Sequence, residues 1–339
     1  MLNNKNIFIS GGTGSFGKKF VEKILKKYSP KKIVIYSRDE FKQYKMQETF
    51  PPHKYKSLRY FLGDVRDLER LKMAMRGADY VIHAAALKQV PAAEYNPMEY
   101  VKTNIYGAEN IIQASISQKV KKILALSTDK AANPINLYGA TKLASDKIFI
   151  AANNIVGADK ISFSVVRYGN VMGSRGSVIP LFNEFKKNNK KFLPITDKNM
   201  TRFFITLDQG VDFVMECLHQ MTGGEMFVPK IPSVKIVDLA KAIAPQLKHK
   251  IIGIRPGEKI HELMCPNESV QNTLEFKDKF IIFPSPSIFD NKIRFSKKKY
   301  GGKGIKVSKN FEYSSDKNSN FLSVNEIKNL LLKLANDPV

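Results

Sequence analysis

Apolar and polar residues alternate along the first half of the chain in blocks that predict strands and helices in turn. The apolar runs of strand length are apolar on both faces, which is typical of parallel strands that helices cover on either side. The runs are NIFIS (6–10), KIVIYS (32–37), VIHAAA (81–86), KILALS (122–127) and FSVVRYG (163–169). Residues 100–118 place apolar side chains at the 3.6-residue spacing of an amphipathic helix. The pattern predicts a doubly wound, parallel α/β sheet that binds ligands at the carboxyl ends of its strands.

The pattern changes after about residue 170, where glycine and proline become frequent and short helices and strands mix irregularly. The pattern of this half predicts a smaller, mixed α/β cap. Residues 206–230 are an exception, because they again have the pattern of a helix and a strand that return to the main sheet. We predict a cofactor-binding domain of residues 1–170 with about 206–230, and a substrate-binding domain of residues 171–205 and 231–339.

The composition is that of an ordinary globular protein, with 339 residues of which 43% are hydrophobic and 25% are charged. Two cysteines form no disulfide framework and five histidines have no metal-ligand spacing, so we expect a reducing, cytoplasmic location and no metal. No apolar run approaches the roughly 18 residues of a membrane span, and the first residues lead directly into a strand. We therefore expect neither a membrane segment nor a signal peptide.

The formal net charge of +24 raises the alternative of nucleic-acid binding, because basic faces attract polyphosphates. The lysines, however, are spread over apparent helix faces and do not alternate with aromatic residues as in a base-stacking surface. We expect no nucleic-acid partner, and an electric field that favours a doubly charged nucleotide substrate.

A glycine-rich turn joins the first predicted strand to the first predicted helix. Its sequence GGTGSFG (11–17) has the G-x-x-G-x-x-G spacing that lets bare backbone approach a pyrophosphate at a helix N-terminus. A glycine turn alone is common, but its position between a strand and a helix predicts a Rossmann-type dinucleotide site. The residues expected to contact the dinucleotide are Gly11, Thr13, Gly14, Ser15, Phe16 and Gly17.

The end of the second predicted strand indicates which dinucleotide binds. An acidic residue there would favour the 2′-hydroxyl of NAD, whereas Ser37 and Arg38, with Lys42 one turn later, suit the 2′-phosphate of NADP. Asp39 weakens the distinction, but we predict NADP. Asp64 follows a third apolar run, where it could bind adenine, cap the next helix, or do both.

The segment LSTDKAANPINLYGATK (126–142) contains a Tyr-xxx-Lys pair of the kind that moves a hydride to or from a nicotinamide cofactor. Tyr138 and Lys142 lie one helical turn apart, so the lysine and the positive nicotinamide ring can help the phenol to lose its proton near neutral pH. Thr128 ends a strand and can hydrogen-bond the reacting hydroxyl. The pair is frequent by chance, but its place behind a dinucleotide turn makes chance a poor explanation.

Asp129 and Lys130 follow Thr128 directly, and a simple dehydrogenase has no use for them. Oxidation at C4 of a sugar makes the C5 proton acidic, so a base for that proton and an acid for the C6 hydroxyl would expel water. Lys130 can be the base if desolvation and nearby positive charge lower its pKa, or if it shares a proton with Asp129. A loop salt bridge without a catalytic role is the alternative.

These motifs resemble the extended short-chain dehydrogenase/reductase family and, within it, the inverting UDP-N-acetylglucosamine 4,6-dehydratases. The resemblance covers essentially the whole chain. Its motifs include GGTGSFG, YSRDE, GDVRDLERL, HAAALK, LSTDKAANPINLYGATK, VRYGNVMGSRGSVIP, ITDKNMTRFFIT, GEMFVPKIPS, IIGIRPGEK and EYSS. The inverting group carries Asp-Lys after the threonine, as here, whereas the retaining group carries Asp-Glu and simple 4-epimerases lack the pair.

The resemblance implies a role for each matching position. Thr128, Tyr138 and Lys142 belong to the redox site, Asp129 is the acid and Lys130 is the base. The cofactor contacts include, besides the glycine turn, Ser37, Arg38, Asp39, Lys42, Asp64, Val65, Ala84, Ala86, Tyr138 and Lys142. Lys88, Asn170 and Val178 are expected near the substrate, and Arg202 and Arg255 near the uridine diphosphate. For Arg255, an ion pair with Glu258 that stabilises a turn is the alternative.

The implied reaction starts with UDP-N-acetylglucosamine, from which NADP takes the C4 hydride while Tyr138 takes the hydroxyl proton. Lys130 removes the C5 proton, Asp129 assists loss of the C6 hydroxyl, the hydride returns to C6, and protonation from the opposite face inverts C5. The resemblance also implies a lyase without net redox change, a homohexamer, and a role in pseudaminic acid synthesis for surface glycans such as those of flagellin.

Two other functions are left open by the sequence. A UDP-hexose 4-epimerase would use Tyr138 and NADP but release no water. A Rossmann domain reused for RNA binding would account for the net charge, although the intact glycine turn and Tyr-xxx-Lys pair argue against it.

Overall fold

Alternating strands and helices build the first half of the chain, as the sequence predicts. The computed structural model describes residues 2–157, 159–174, 177–285 and 299–335. Its first half contains the strands β1 (Asn6–Ser10), β2 (Lys32–Ser37), β3 (Leu58–Leu62), β4 (Tyr80–His83), β5 (Lys122–Thr128) and β6 (Ser162–Tyr168). The helices between them are α1 (Ser15–Lys27), α2 (Glu40–Thr49), α3 (Leu68–Ala74), α4 (Val90–Tyr95), α5 (Pro97–Tyr100), α6 (Gly107–Ser117) and α7 (Leu137–Ile155).

Shorter strands and four longer helices make up the second half. The strands are β7 (Asn170–Val171), β8 (Phe192–Ile195), β9 (Thr201–Ile205), β10 (Met226–Pro229), β11 (Ser233–Lys235), β12 (Lys248–Ile251), β13 (Leu263–Cys265), β14 (Thr273–Glu275), β15 (Lys279–Ile282), β16 (Ile305–Lys306) and β17 (Tyr313–Ser314). The helices among the described residues are α8 (Val178–Lys187), α9 (Leu207–Gln220), α10 (Ile236–Ile243) and α11 (Val324–Ala335). Within the described ranges, no helix has the length and apolar character needed to cross a bilayer.

One large sheet organises the molecule, with the described strands in the order β16-β14-β15-β10-β6-β5-β4-β1-β2-β3. Neighbouring strands from β3 to β10 run parallel, and β15, β14 and β16 extend the sheet antiparallel. Ile7, Phe8 and Ile9 of β1 are all fully buried, because helices cover both faces of the sheet. The strand order reverses between β1 and β4, which opens a crevice at their carboxyl ends. The predicted doubly wound Rossmann-type fold is confirmed.

Two predicted elements of the first half end or begin differently in the structure. The run predicted as strand 81–86 leaves the sheet after His83, and the chain then continues as a loop. The predicted helix 100–118 begins with a π-helical turn, Val101–Tyr106, before α6 starts. This turn carries buried Asn104, whose side-chain amide bonds the N–H and the carbonyl of Leu87 at 2.9 Å each. The wider turn thus ties the helix to the loop after β4.

Residues 206–230 return to the main sheet as α9 and β10, as predicted. The same sheet also receives β14, β15 and β16, which lie in the range 231–339 that the sequence assigns to substrate binding. These strands have two to four residues each, too few for a recognisable pattern. A separate apolar cluster packs around α8, α10 and α11, with Phe182, Leu193, Phe204 and Leu239 buried in it. The assignment of the two parts to cofactor and substrate stays a prediction.

Candidate active site

A cavity of about 1190 Å³ lies at the carboxyl ends of the parallel strands and is bounded on its far side by the second half of the chain. All but two of the residues predicted as site residues line it. These are Gly11, Thr13, Gly14, Ser15, Phe16, Ser37, Arg38, Asp39, Lys42, Asp64, Val65, Ala84, Ala86, Lys88, Thr128, Lys130, Tyr138, Lys142, Asn170, Val178, Arg202 and Arg255. Gly17 and Asp129 are not among the lining residues. Residues that the sequence separates widely therefore meet at one cleft.

The glycine turn leaves bare backbone at the end of the cleft next to β1. Gly11 has a φ of +66°, and a Cβ atom there would lie 2.8 Å from the backbone nitrogen of Ala85. A Cβ atom on Gly17 would overlap the backbone of Gly12, so this glycine lets α1 pack against the turn instead of facing a ligand. The turn and the start of α1 offer the cradle of amides that a dinucleotide pyrophosphate requires.

The side chains at the end of β2 are arranged so that a cation faces the cleft. Asp39 accepts a hydrogen bond from the backbone N–H of Lys42 at 2.9 Å, capping α2, and pairs with Nζ of Lys42 at 2.6 Å. Arg38 is half exposed and its Nη1 lies 3.7 Å from Asp64, whose closer partner is Arg66 at 2.8 Å. The carboxylate of Asp39 is therefore engaged with Lys42, while the guanidinium of Arg38 stays accessible.

The alternative interpretation of Asp64 as a helix cap is wrong. Helix α3 is capped by Asp67, which accepts a hydrogen bond from the backbone N–H of Arg70 at 2.9 Å. Asp64 instead accepts from the backbone N–H of Arg66 at 3.0 Å and lines the cleft. Its contact with adenine stays a prediction.

Helix α7 presents Tyr138 and Lys142 to the cleft one turn apart, as their spacing predicts. Burial raises the pKa of Tyr138 to about 12, against the opposing effects of the Lys130 charge and a hydrogen bond with Thr128. Burial also lowers the pKa of Lys142, and the charge of Asp146 acts against this. The charge of Lys130 thus acts on the phenol, whereas the sequence interpretation relied on Lys142 and the nicotinamide ring.

Asp129 and Lys130 form a short 3₁₀ turn directly after β5. Nζ of Lys130 lies 3.0 Å from Oδ1 of Asp129 and 3.3 Å from Oδ1 of Asn170, while the hydroxyl of Thr128 donates to Oδ1 of Asp129 at 2.9 Å. The Asp129 side chain is 0% exposed and that of Lys130 is 24% exposed. The salt bridge between Lys130 and Asp129 that the non-catalytic alternative requires is therefore present. It is buried, however, and Lys130 lines the cleft.

Glu262 completes this group, and sequence reasoning missed it. Its Oε1 lies 3.2 Å from Nζ of Lys130, its side chain is 2% exposed, and it stands directly before β13. Nε of Arg202 lies 3.6 Å from the same oxygen. The charged residue before the apolar run Leu263–Cys265 was the available signal, but no spacing connects Glu262 to Lys130. Only the tertiary fold brings the two residues together.

The cluster of Asp129, Lys130 and Glu262 has unusual proton affinities. Burial raises the pKa of Asp129, and the neighbouring charge of Glu262 adds to the increase. Burial alone would lower the pKa of Lys130, but the charges of the two carboxylates outweigh burial and raise it above its ordinary value. Burial would also raise the pKa of Glu262, but the charges of Lys130 and Arg202 lower it. Burial therefore does not bring the pKa of Lys130 below its ordinary value, as the first of the two routes requires. The other route, a proton shared with Asp129 at 3.0 Å, stays a prediction.

The predicted diphosphate residues differ in how much of their hydrogen-bonding capacity is engaged. Arg202 is buried and donates to the backbone carbonyls of Thr201, Lys259 and Ile260 at 2.7 to 2.9 Å. Arg255 is 64% exposed and forms a bidentate pair with Glu258 at 2.8 and 3.0 Å, so the turn-stabilising ion pair is present. Both arginines line the cleft, and their contact with a diphosphate stays a prediction.

The other predicted substrate residues also lie at the cleft. Burial and the charge of Lys130 lower the pKa of Lys88.

Two residues of the motif VRYGNVMGSRGSVIP, Arg175 and Gly176, lie outside the described part of the chain. Among the described residues, no group of three or more His, Cys, Asp or Glu side chains has the arrangement of a metal site.

Comparison with known proteins identifies the family. The model of a family described as "Polysaccharide biosynthesis protein" matches residues 7–284. The chain belongs to this family. It is 56% identical to the UDP-N-acetylglucosamine 4,6-dehydratase (inverting) of Campylobacter jejuni subsp. jejuni serotype O:23/36 (strain 81-176), over 98% of both chains. The resemblance inferred from the motifs is thereby confirmed.

Two further relatives place this likeness in context. The chain is 41% identical to the UDP-glucose 4-epimerase of Rickettsia bellii (strain RML369-C), over 98% of this chain and 97% of the relative. Among solved structures, Pen from Bacillus thuringiensis superposes with a TM-score of 0.86 at 38% identity, over 98% of this chain and 99% of the other. The fold is thus shared along nearly the whole length of the chain.

Proposed function

We propose that the chain is an inverting UDP-N-acetylglucosamine 4,6-dehydratase. The observation that carries the proposal is the ammonium of Lys130, held in the cleft 3.0 Å from Asp129 and lining the same cavity as Tyr138. Elimination of water needs one group that takes a proton and one that gives a proton, and a lysine–aspartate pair holds both. The 56% identity to a relative named for this reaction supports the same function.

The cofactor that we propose is NADP, bound along the glycine turn and the end of β2. Arg38 is accessible to a 2′-phosphate, while Asp39 is engaged with Lys42 and is less able to hold a ribose 2′-hydroxyl. When bound, the nicotinamide group would accept the C4 hydride and return it to C6.

The protein's own residues would handle the protons. Tyr138 takes the proton of the C4 hydroxyl, with Thr128 placed to orient that group. Lys130 takes the C5 proton, and Asp129 gives the proton that turns the C6 hydroxyl into water. Because Asp129 does not line the cavity, its proton reaches the cleft through Thr128 or Lys130, which lie 2.9 and 3.0 Å from its Oδ1. A proton from solvent, delivered to C5 from the opposite face, gives the 4-keto-6-deoxy-L-arabino product.

Mass spectrometry after incubation with UDP-N-acetylglucosamine tests the proposal. Loss of water supports a dehydratase, whereas an unchanged mass with a new stereoisomer supports a 4-epimerase and contradicts the proposal. The epimerase is the second candidate because of the Rickettsia relative. A 4-epimerase releases no water, so the buried cluster of Asp129, Lys130 and Glu262 would have no catalytic role in it.

We further propose that the enzyme is a lyase without net redox change, that it acts in the cytoplasm as a homohexamer, and that its product enters pseudaminic acid synthesis for surface glycans such as those of flagellin. The motif resemblance supports these points. Size-exclusion chromatography with light scattering tests the hexamer, and deletion of the gene followed by glycan analysis tests the pathway.

A further inference from the structure

We propose that Glu262 is a positioning residue that holds the Lys130 ammonium in the cleft against Asp129 and keeps the proton of this cluster within the cleft. The placement of Lys130 follows from geometry alone. The consequence for catalysis rests on the proposed function, because it assumes that Lys130 and Asp129 exchange protons with a sugar.

The Lys130 ammonium is held from three directions. Oxygens of Asp129, Glu262 and Asn170 lie 3.0, 3.2 and 3.3 Å from Nζ, and they come from the turn after β5, the residue before β13 and the strand β7. A lysine side chain has many rotamers, and ordering it costs up to roughly 2 kcal/mol of conformational entropy. Three acceptors from three elements select one of these rotamers. Two of them, Asp129 and Glu262, are carboxylates, and the third, Asn170, is a neutral amide.

The backbone of Glu262 is itself fixed, so its carboxylate is a rigid support. Its N–H donates to Oγ of Ser315 at 2.9 Å, and its carbonyl accepts from the N–H of Ser315 at 2.8 Å. The side chain is 2% exposed, and its Oε2 has no hydrogen-bond partner among the described residues. A buried carboxylate with one unpaired oxygen costs stability, so its position in the wall of the cleft points to a role beyond stability.

The charges around Glu262 lower its pKa, whereas burial raises the pKa of Asp129. Lys130 faces it from the turn after β5, Arg202 from β9, and Lys259 from the loop before β13, where Glu258 also lies. Arg202 contacts Glu262 at 3.6 Å but has no ion pair with Asp129 among the described residues. Among the described residues, Asp129 has an ion pair with Lys130, and Glu262 has ion pairs with Lys130 and Arg202. Lys259 acts on both carboxylates. The charge of Glu262 raises the pKa of both Lys130 and Asp129. Loss of the Glu262 charge should therefore lower the proton affinity of both Lys130 and Asp129.

Competitive labelling of amines with acetic anhydride, read by peptide mass spectrometry, tests the placement without any substrate. The acylation rate at a fixed alkaline pH follows the neutral fraction of each lysine. In Glu262→Gln, labelling of Lys130 should rise about tenfold, the change that a fall of one pKa unit produces. In Glu262→Asp, which keeps the charge but withdraws it by one methylene, the rise should be about two- to threefold.

Two controls separate this effect from a general loosening of the fold. Lys42, at the far end of the same cleft, should be labelled equally in all variants. Glu275→Gln removes a carboxylate from a lysine pair elsewhere, with Lys230 at 2.7 Å, and should leave Lys130 unchanged. A folded Glu262→Gln variant with wild-type labelling of Lys130 overturns the proposal. If that variant does not fold, the Asp variant decides, and wild-type labelling of Lys130 there overturns it equally.

Kinetics with UDP-N-acetylglucosamine test the catalytic consequence. Glu262→Gln should lower kcat about 10- to 100-fold with little change in KM, because the reacting amine is misplaced while the substrate still binds. Its pH optimum should move to lower pH, since the acid and the base both lose proton affinity. Unchanged kcat and pH optimum would overturn the catalytic role. A wild-type protein that releases no water would instead refute the proposed function, and the labelling result would still decide how Lys130 is held.

Discussion

The Nζ atom of Lys142 donates a hydrogen bond to the carbonyl oxygen of Leu126 at 2.8 Å. Its charge is thereby directed at the end of β5, and Tyr138 keeps a pKa raised by burial to about 12. The phenol is protonated at neutral pH in this arrangement. If Tyr138 is the base that we propose, further positive charge has to enter the cleft, and we expect a bound ligand to supply it.

Replacement of Tyr138 by Phe should abolish oxidation at C4 while the affinity for the UDP-sugar stays nearly unchanged. The phenol acts on the reacting proton and contributes little to binding. Single-turnover absorbance of the reduced nicotinamide and calorimetric titration of the substrate measure the two effects. Tyr168→Phe is the matched control, because this buried phenol lines the same cavity and should be dispensable. Substantial turnover of Tyr138→Phe would mean that another group takes the C4 proton.

Lys130→Ala keeps Thr128, Tyr138 and Lys142, so it should still oxidise C4, more slowly because the Lys130 charge also acts on the Tyr138 phenol. It should then stall, because the base for the C5 proton is gone. General-base assistance is typically worth 10² to 10⁴ in rate, so turnover should fall by about that factor. Rapid-quench mass spectrometry would detect the accumulated keto sugar that has not lost water. Lys121→Ala, which removes an exposed lysine paired with Asp79 at 2.7 Å, should have full activity. Full activity in Lys130→Ala would reduce its ion pair to a structural contact.

In D₂O the wild-type enzyme should place deuterium at C5 of a product whose C5 configuration is inverted. The proton that Lys130 removes is not the one that returns, since protonation occurs from the opposite face. Nuclear magnetic resonance of the product gives both the label and the configuration. A product that has lost water and retains the D-configuration at C5 would show a retaining dehydratase.

Arg38→Ala should weaken binding of NADP about 10- to 100-fold and leave binding of NAD nearly unchanged. A hydrogen bond to a charged group contributes about 1.5–3 kcal/mol, and only NADP has the 2′-phosphate that Arg38 can contact. Fluorescence titration with both cofactors measures the ratio, with Arg76→Ala, a surface arginine, as control. Equal affinity of the wild-type protein for the two cofactors would show that the assignment of NADP is wrong.

Alanine should have opposite effects at two helical glycines. A Cβ atom at Gly17 on α1 would overlap the Gly12 backbone, so Gly17→Ala should cost about 1–3 kcal/mol of stability and weaken the dinucleotide site. At Gly210 on α9 the nearest atom lies 4.0 Å from the new Cβ, so Gly210→Ala should add about 0.5–1 kcal/mol. Denaturant unfolding measures both. Similar stability changes at the two positions would contradict the packing argument.

Removal of the buried pair beneath the cleft should destabilise the fold. Nη2 of Arg167 lies 3.2 Å from Oδ2 of Asp146, both side chains are almost fully buried, and the Ser127 hydroxyl donates to the same oxygen at 2.7 Å. Asp146→Ala leaves the buried guanidinium of Arg167 without its carboxylate partner. The free energy of unfolding, measured in urea, should fall by about 3–5 kcal/mol. Glu312→Ala breaks an exposed pair with Lys317 and should cost at most about 1 kcal/mol. Equal costs would contradict the role of burial.

The sequence predicted β1, β2 and β5 to within one residue because their apolar runs are long and clearly bounded. The strand ends predicted that the glycine turn, Ser37, Asp64 and Thr128 meet at the cleft, because the carboxyl ends of parallel strands share one edge. Lys88, Asn170, Val178, Arg202 and Arg255 were expected there only from the family resemblance. The π-helical turn at Val101–Tyr106 escaped prediction, since a widened turn preserves the apolar periodicity around it. Strands of two to four residues, such as β14 and β16, carry too little pattern to be recognised.

The proton affinities were the least predictable part of the site. The pKa of Lys130 depends on Glu262, and a carboxylate that approaches through the tertiary fold leaves no mark in the local sequence. From the sequence alone, a lowered pKa of Lys130 and a proton shared with Asp129 were both open, and the charge of Glu262 argues against the first. The likeness to dehydratases supplied the candidate residues, whereas the structure supplied the charges that act on them.

The return of β10, β15, β14 and β16 to the main sheet has a consequence for dissecting the protein. A fragment ending near residue 170 would expose the whole side of β6 that pairs with β10, and would lose α9, which packs beside α1. An unprotected strand of this kind invites association with other chains. The half that carries the glycine turn is therefore not expected to fold alone, and we expect fragments that end near residue 170 to be insoluble.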